Sequence, residues 1–147
     1  MGVLHAVLPL DATCLEWLHR DGISHPALAV ASRLPTPREV ADTLQQLEAY
    51  SVEITADSAS GEWYAFIQSA DSTTPAWASL RISHYHSDDE PHEFYFPKGF
   101  PEVIFTVVER LAHVCGPLVV LDDSSCRPIV VSPGDSIHAL LQQYEVA

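Results

Sequence analysis

From residue 51 to residue 96 the chain repeats apolar and polar residues with a period of two, in the runs SVEITAD, GEWYAFIQSA, AWASLRISHYH and HEFYF. That period is the signature of strands with one buried face. The runs are separated only by the polar, turn-forming connectors DSASG, DSTTP and SDDEP. A parallel pairing needs a crossover of about a dozen residues or more, so connectors this short restrict neighbouring strands to antiparallel hairpins. A four-strand antiparallel meander is therefore expected, and the rest of the chain must cover one of its faces.

Helical patterns flank the meander. In TPREVADTLQQLEAY, Thr36 and Glu39 have capping-box spacing, and Pro37 occupies a first-turn position that needs no N–H. Val40, Leu44 and Leu47 form an apolar stripe, which predicts a helix from about residue 37 to Tyr50. In FPEVIFTVVERLAHVCGP, the stripe Phe100, Ile104, Val107, Leu111 and Val114 is again helical. Glu102 suits its first turn and His113 its last, and Gly116 followed by Pro117 closes it. Its many β-branched residues imply that burial, rather than propensity, holds it.

LVVLDD and RPIVVS then read as a strand pair, and DSIHALLQQY as a final amphipathic segment turning Ile137, Leu140, Leu141 and Tyr144 inward. Before residue 36, HAVLPL fits a strand, DATCLEWLHRDG a short helix capped by Asp11 and ended by Gly22, and ALAVAS either type. The expected fold is α+β: a mainly antiparallel sheet, made of the four-strand meander plus a C-terminal hairpin, with two principal helices packed on one face. Residues 1–147 fit one globular domain, a length at which folding removes roughly 70% of the unfolded chain's surface from water.

Composition narrows compartment and partners. The chain is 47% hydrophobic and 18% charged, with no apolar run near the ~20 residues of a membrane span. Its first residues carry neither a basic start with a cleavable apolar stretch nor an N-myristoylation pattern. Cys14, Cys115 and Cys126 include no CxxC pair, which suits free thiols in a reducing compartment, so a cytoplasmic location is expected. Cys115 falls on the apolar face of the second helix. Cys126 is the one candidate reactive thiol, with Arg127 favouring its thiolate and Asp122 and Asp123 opposing it.

The 20 acids outnumber the 7 lysines and arginines, and between Glu39 and Pro97 eleven acids face a single base, Arg81. Such a field repels phosphate backbones and anionic membranes and draws in a basic partner. The favoured reading is a non-catalytic acidic interaction protein without a cofactor, docking on a basic protein in the manner of a small bacterial inhibitor or immunity protein. Its candidate contact residues are Glu53, Asp57, Glu62, Asp88, Asp89, Glu90 and Glu93.

The alternative is a metal-dependent enzyme built on HYHSDDEPHEFYF. Alternation puts Leu80, Ile82, His84 and His86 on one face of a strand, and SDDEP as a five-residue hairpin loop would set His86 opposite His92 and His84 opposite Phe94. His84, His86 and His92, completed by Asp88, Asp89 or Glu90, would suit Zn, Fe or Mn and activate water or oxygen chemistry. The His-Xaa-His pair with a following glutamate resembles the first cupin motif. Ala78 stands where that motif has glycine, no glycine follows Glu90 at the required distance, and a long helix interrupts what should be an all-β barrel. The chain is accordingly not read as a cupin. Trp17, Trp63 and Trp77 are expected in the core, with interface anchoring as the alternative. Lys98 and Gly99 precede a helix N-terminus, where an anion is sometimes held, and no GxSxG or phosphate-binding glycine loop occurs.

Overall fold

A computed structural model describes residues 4–20, 22, 32–70, 75–123 and 128–146. The expectations placed on ALAVAS and on Cys126 fall outside these residues, as does the side chain of Trp17. The meander is present as β2 (Tyr50–Asp57), β3 (Glu62–Ser69), β4 (Trp77–Ile82) and β5 (Phe94–Gly99). The C-terminal hairpin is β6 (Leu118–Asp122) and β7 (Ile129–Val131), and β1 (His5–Pro9) lies between the two units. Among the described residues, seven strands form one antiparallel sheet in the order β2-β3-β4-β5-β1-β6-β7.

The described helices are α1 (Ala12–Arg20), α2 (Pro37–Gln45), α3 (Pro101–Cys115) and α4 (Ile137–Val146). α3 packs against β4, β5, β6 and β7 and is flanked by α2 and α4. Enclosure on several sides widens its buried arc beyond a stripe: Val103, Phe105, Val108 and Ala112 join Ile104, Val107 and Leu111, whereas Phe100 and Val114 of the expected stripe are exposed. Burying each such Val, Ile or Leu side chain contributes about 1.5–3 kcal/mol relative to solvent. Burial thus holds a helix that is poor in helix formers.

α1 takes the other face. Leu10, Cys14 and Leu18 pack on Val119 with Leu8 and Val130, the side chains that alternation turns away from α3. Asp11 caps the helix by accepting from the Cys14 N–H, and Gly22, at φ 71, closes it. The described helices therefore cover both faces of the sheet around β1, β6 and β7, and one face at the β2–β4 end.

α2 starts as its sequence requires. The Thr36 hydroxyl accepts from Glu39 N–H, the Glu39 carboxylate accepts from Thr36 N–H, and Arg33 grips the same carboxylate with two bonds of 2.7 Å. It stops at Gln45, short of Tyr50, because Tyr50 is claimed by β2 through its pairing with Ser69. Leu47 still reaches the core from the intervening turn.

A polar cluster anchors α4 beneath the sheet. His5 and Asp122 are direct cross-strand partners, both buried, and the Tyr144 oxygen lies 3.3 Å from His5 Nε2. Burial first, and the hydrogen bond to Asp122 second, push the Tyr144 phenol up to about 12.

β4 and β5 approach unusually closely. Their register shifts between Ser79 and Arg81, and Pro97, which has no N–H to give a ladder, sits at this bulge. A Cβ on Gly99 would stand 2.5 Å from Ala78 Cβ, nearer than side chains tolerate. Gly99→Ala is expected to force the strands apart and cost about 1–3 kcal/mol, read as a lowered midpoint in denaturant melts.

Glu39 generates a second expectation. Its carboxyl is lowered from 4.5 to about 2, by the Arg33 bonds first and with help from Thr36. Because the folded value lies below the unfolded one, the stabilisation is complete above about pH 4.5 and is lost as pH falls from there through about 2. Glu39→Gln should cost about 1 kcal/mol at neutral pH and flatten stability between pH 5 and 2; an unchanged acid limb would contradict this assignment.

Candidate functional site

The residues that alternation turns away from α3 form cross-strand rows on the uncovered face. One row runs Thr55, Tyr64, Arg81, Tyr95, a second links Glu53, Phe66, Ser79 and Lys98, and a third links Ser51, Gln68 and Trp77. Aromatic rings hold the centre. Phe66 stacks on Trp77 at 5.7 Å between centroids, Trp77 meets Phe100 edge-on at 6.1 Å, and the Arg81 guanidinium lies 5.4 Å from the Tyr64 ring centroid. Among the described residues, four large hydrophobic side chains are exposed, and three of them belong here: Tyr64 at 38%, Phe66 at 37% and Phe100 at 39%.

The tryptophans divide accordingly. Trp63 is buried in the core as expected, whereas Trp77 is only partly covered and belongs to the exposed cluster. Phe100 begins α3 without capping it by a side chain and spends its ring on Trp77. A sequence signal for this cluster exists in EWYAFIQ, where Trp63, Ala65 and Ile67 satisfy the core while Tyr64 and Phe66 make the opposite face apolar as well. Beside Tyr95 the face deepens into two adjoining grooves that share Ser83 and Tyr95. The polar one, of about 280 Å³, includes Glu62, Arg81 and His84, and the more apolar one, of about 360 Å³, includes Leu4, Leu8 and Glu93.

The seven acids expected to act together separate into two groups. Glu53, on β2, stands opposite Phe66, Asp57 pairs with Glu62 at the end of the β2–β3 hairpin, and Glu93 lines the apolar groove. Asp88, Asp89 and Glu90 instead fasten the β4–β5 loop to the start of α2. Asp88 accepts the Tyr85 hydroxyl at 2.7 Å and its carbonyl accepts from Arg38 N–H; Asp89 pairs with the Arg38 side chain at 2.9 Å; Glu90 bonds His86 at 2.7 Å. Arg38 is the reason Asp89 titrates below the usual carboxylate range.

The histidines depart from the expected arrangement. β4 ends at Ile82, which pairs with Phe94, and His84 adopts φ 53, so the strand does not continue to His86. This left-handed turn sends Tyr85 into the core and leaves His84 beside Gly61 and Arg81 in the polar groove. His86 and His92 do meet, with Nδ1 of the former 3.0 Å from Nε2 of the latter, and His84 joins them through its carbonyl. Among the described residues, no group of three or more His, Cys, Asp or Glu is arranged to hold a metal ion.

Hydrogen bonding assigns the protons of this pair. A carbonyl only accepts, so His92 Nδ1, 2.6 Å from Glu90 O, carries hydrogen and leaves Nε2 as an acceptor in the neutral ring. His86 then donates from Nδ1 to that acceptor and from Nε2 to the Glu90 carboxylate, which describes an imidazolium. The His84 carbonyl first, and Glu90 second, raise the His86 titration above its ordinary value. The loop tether from His86 is therefore complete at acid pH and weakens as pH rises through that elevated value. An NMR titration should find His86 titrating above 6.5 and shifted down in Glu90→Gln; equal values in both proteins would refute the assignment.

The thiols that the structure describes are quiet. Cys14 and Cys115 are buried and free, and burial pushes Cys115 up to about 11. Compared with known protein families, curated proteins and solved structures, the chain matches none of them.

Proposed function

We propose that the protein is a non-catalytic binding module that docks a basic protein partner on the uncovered face of its sheet, acting as an inhibitor or immunity-like protein. One observation carries this reading: the exposed cluster of Tyr64, Phe66, Trp77 and Phe100 is bordered by the carboxylates Glu53, Asp57 and Glu62. Aromatic anchors at the centre and charges at the rim are the division of labour of protein interfaces. The anchors supply most of the binding energy by desolvation, and the rim steers a cationic surface toward them. Charge selects among occupants as well. An aromatic ledge also suits base stacking, but carboxylates at its border and a net charge of −13 oppose a phosphate backbone.

The test is titration of the intact chain with a panel of purified cationic nucleases and, separately, with RNA and DNA oligonucleotides, following Trp77 fluorescence in a Trp17→Phe, Trp63→Phe background. A nuclease should bind and lose activity, more weakly as salt rises. Phe66→Ala should weaken binding roughly thirtyfold, the scale of a hot spot of about 2 kcal/mol, and Glu53→Lys with Asp57→Lys should slow association. Oligonucleotide binding in place of protein binding, or complexes indifferent to Phe66, would overturn the reading.

A further inference from the structure

We infer that β2 is an acceptor edge: the partner adds an extended segment alternating basic and apolar residues as an eighth strand of the sheet. This deepens the proposed function and rests on its basic partner. β2 is terminal in the strand order, paired with β3 along all eight of its residues, and no described strand lies on its outer side. The opposite edge, β7, has three residues. Exposed edges are normally blunted by brevity, proline, charged side chains or a bulge, and the charges on β2, Glu53 and Asp57, oppose an acidic strand and admit a basic one. β2 is long, its register with β3 is continuous, and YSVEITAD holds no proline, lysine or glycine. The Tyr50 N–H is taken by the Leu47 carbonyl, and from Val52 onward the outer N–H and C=O groups are presented in order for another strand.

Charge says which strand. The open face is graded: β2 carries Glu53 and Asp57 and no base, whereas Arg81 and Lys98 lie on β4 and β5. Glu48 stands exposed just before β2, and no lysine or arginine occurs between Arg38 and Arg81. An added strand places alternate side chains beside Glu53, Thr55 and Asp57, where Lys or Arg is favoured cross-strand. The intervening side chains fall beside Tyr50, Val52 and Ile54, which are only partly buried against the core and gain from an apolar neighbour. A second copy of this chain is the poorer occupant, because antiparallel self-pairing brings Glu53 and Asp57 of both copies together.

The probe is an eight-residue capped peptide alternating arginine with valine and threonine, compared with a peptide of the same composition in which the arginines are grouped. Both are titrated into the full chain at low salt, with amide hydrogen exchange read across residues 50–57. The alternating peptide should bind roughly tenfold tighter than the grouped one and slow exchange of the outward β2 amides by at least about tenfold, and Glu53→Lys with Asp57→Lys should abolish both effects. Peptide binding that shifts Trp77 fluorescence without protecting β2 overturns the edge inference and leaves the open-face reading standing. Absence of peptide binding in a chain that still binds a cationic nuclease through Phe66 has the same meaning. Sedimentation as a dimer whose β2 amides are already protected would also overturn it, with a second copy as the occupant.

Discussion

Packing of α3 against one face of the sheet is the interaction on which the rest depends. The helix touches four strands and two other helices, and its buried arc includes Ile104, Val107, Val108 and Leu111. Once α3 occupies that face, α2 and α4 find their apolar neighbours at its flanks. Among the described helices, α1 is left for the opposite face, where it packs at the β6 and β7 end, on Val119 and Val130. The one-sided cover over β2, β3 and β4 is thus a consequence of where the helices are spent, and the rings of Phe66 and Trp77 become surface.

The same geometry sorts the acidic residues by role. Those of the β4–β5 loop are occupied with Arg38, Tyr85 and His86, so they shape the loop before they meet any partner. Exposed ion pairs of this kind contribute little stability individually, and their value lies in holding a geometry. The carboxylates of β2 and β3 have no comparable lysine or arginine beside them on their own strands. An excess of carboxylates toward the β2 edge, with Arg81 and Lys98 farther in, adjoins exposed aromatic area and is the physical basis on which a cationic protein is proposed for that face.

Local signals were legible in the residues, and long-range ones were not. Capping by Thr36 and Glu39, the meander and the C-terminal hairpin each follow from patterns in neighbouring segments of the chain. The place of β1 between β5 and β6 depends on pairing His5 with Phe96 and with Asp122, separations for which a strand pattern in HAVLPL gives no address. The buried meeting of His5, Asp122 and Tyr144 was hidden for the same reason. Extending the two-residue period through His84 and His86 failed because period alone does not reveal where a strand turns left-handed. Likewise, the alternation of EWYAFIQ is compatible with either face being covered, and only the helix positions decide that Trp63 is inside and Phe66 outside.

The most direct test of the central claim is backbone and tryptophan-indole chemical-shift mapping of the isotopically labelled chain titrated with a short oligolysine at low salt. Shifts should concentrate on Glu53, Asp57, Glu62 and their β3 and β4 neighbours, with the Trp77 indole N–H among them. Shifts concentrated instead on residues 84–92 and the start of α2, or spread evenly around the molecule, would contradict it.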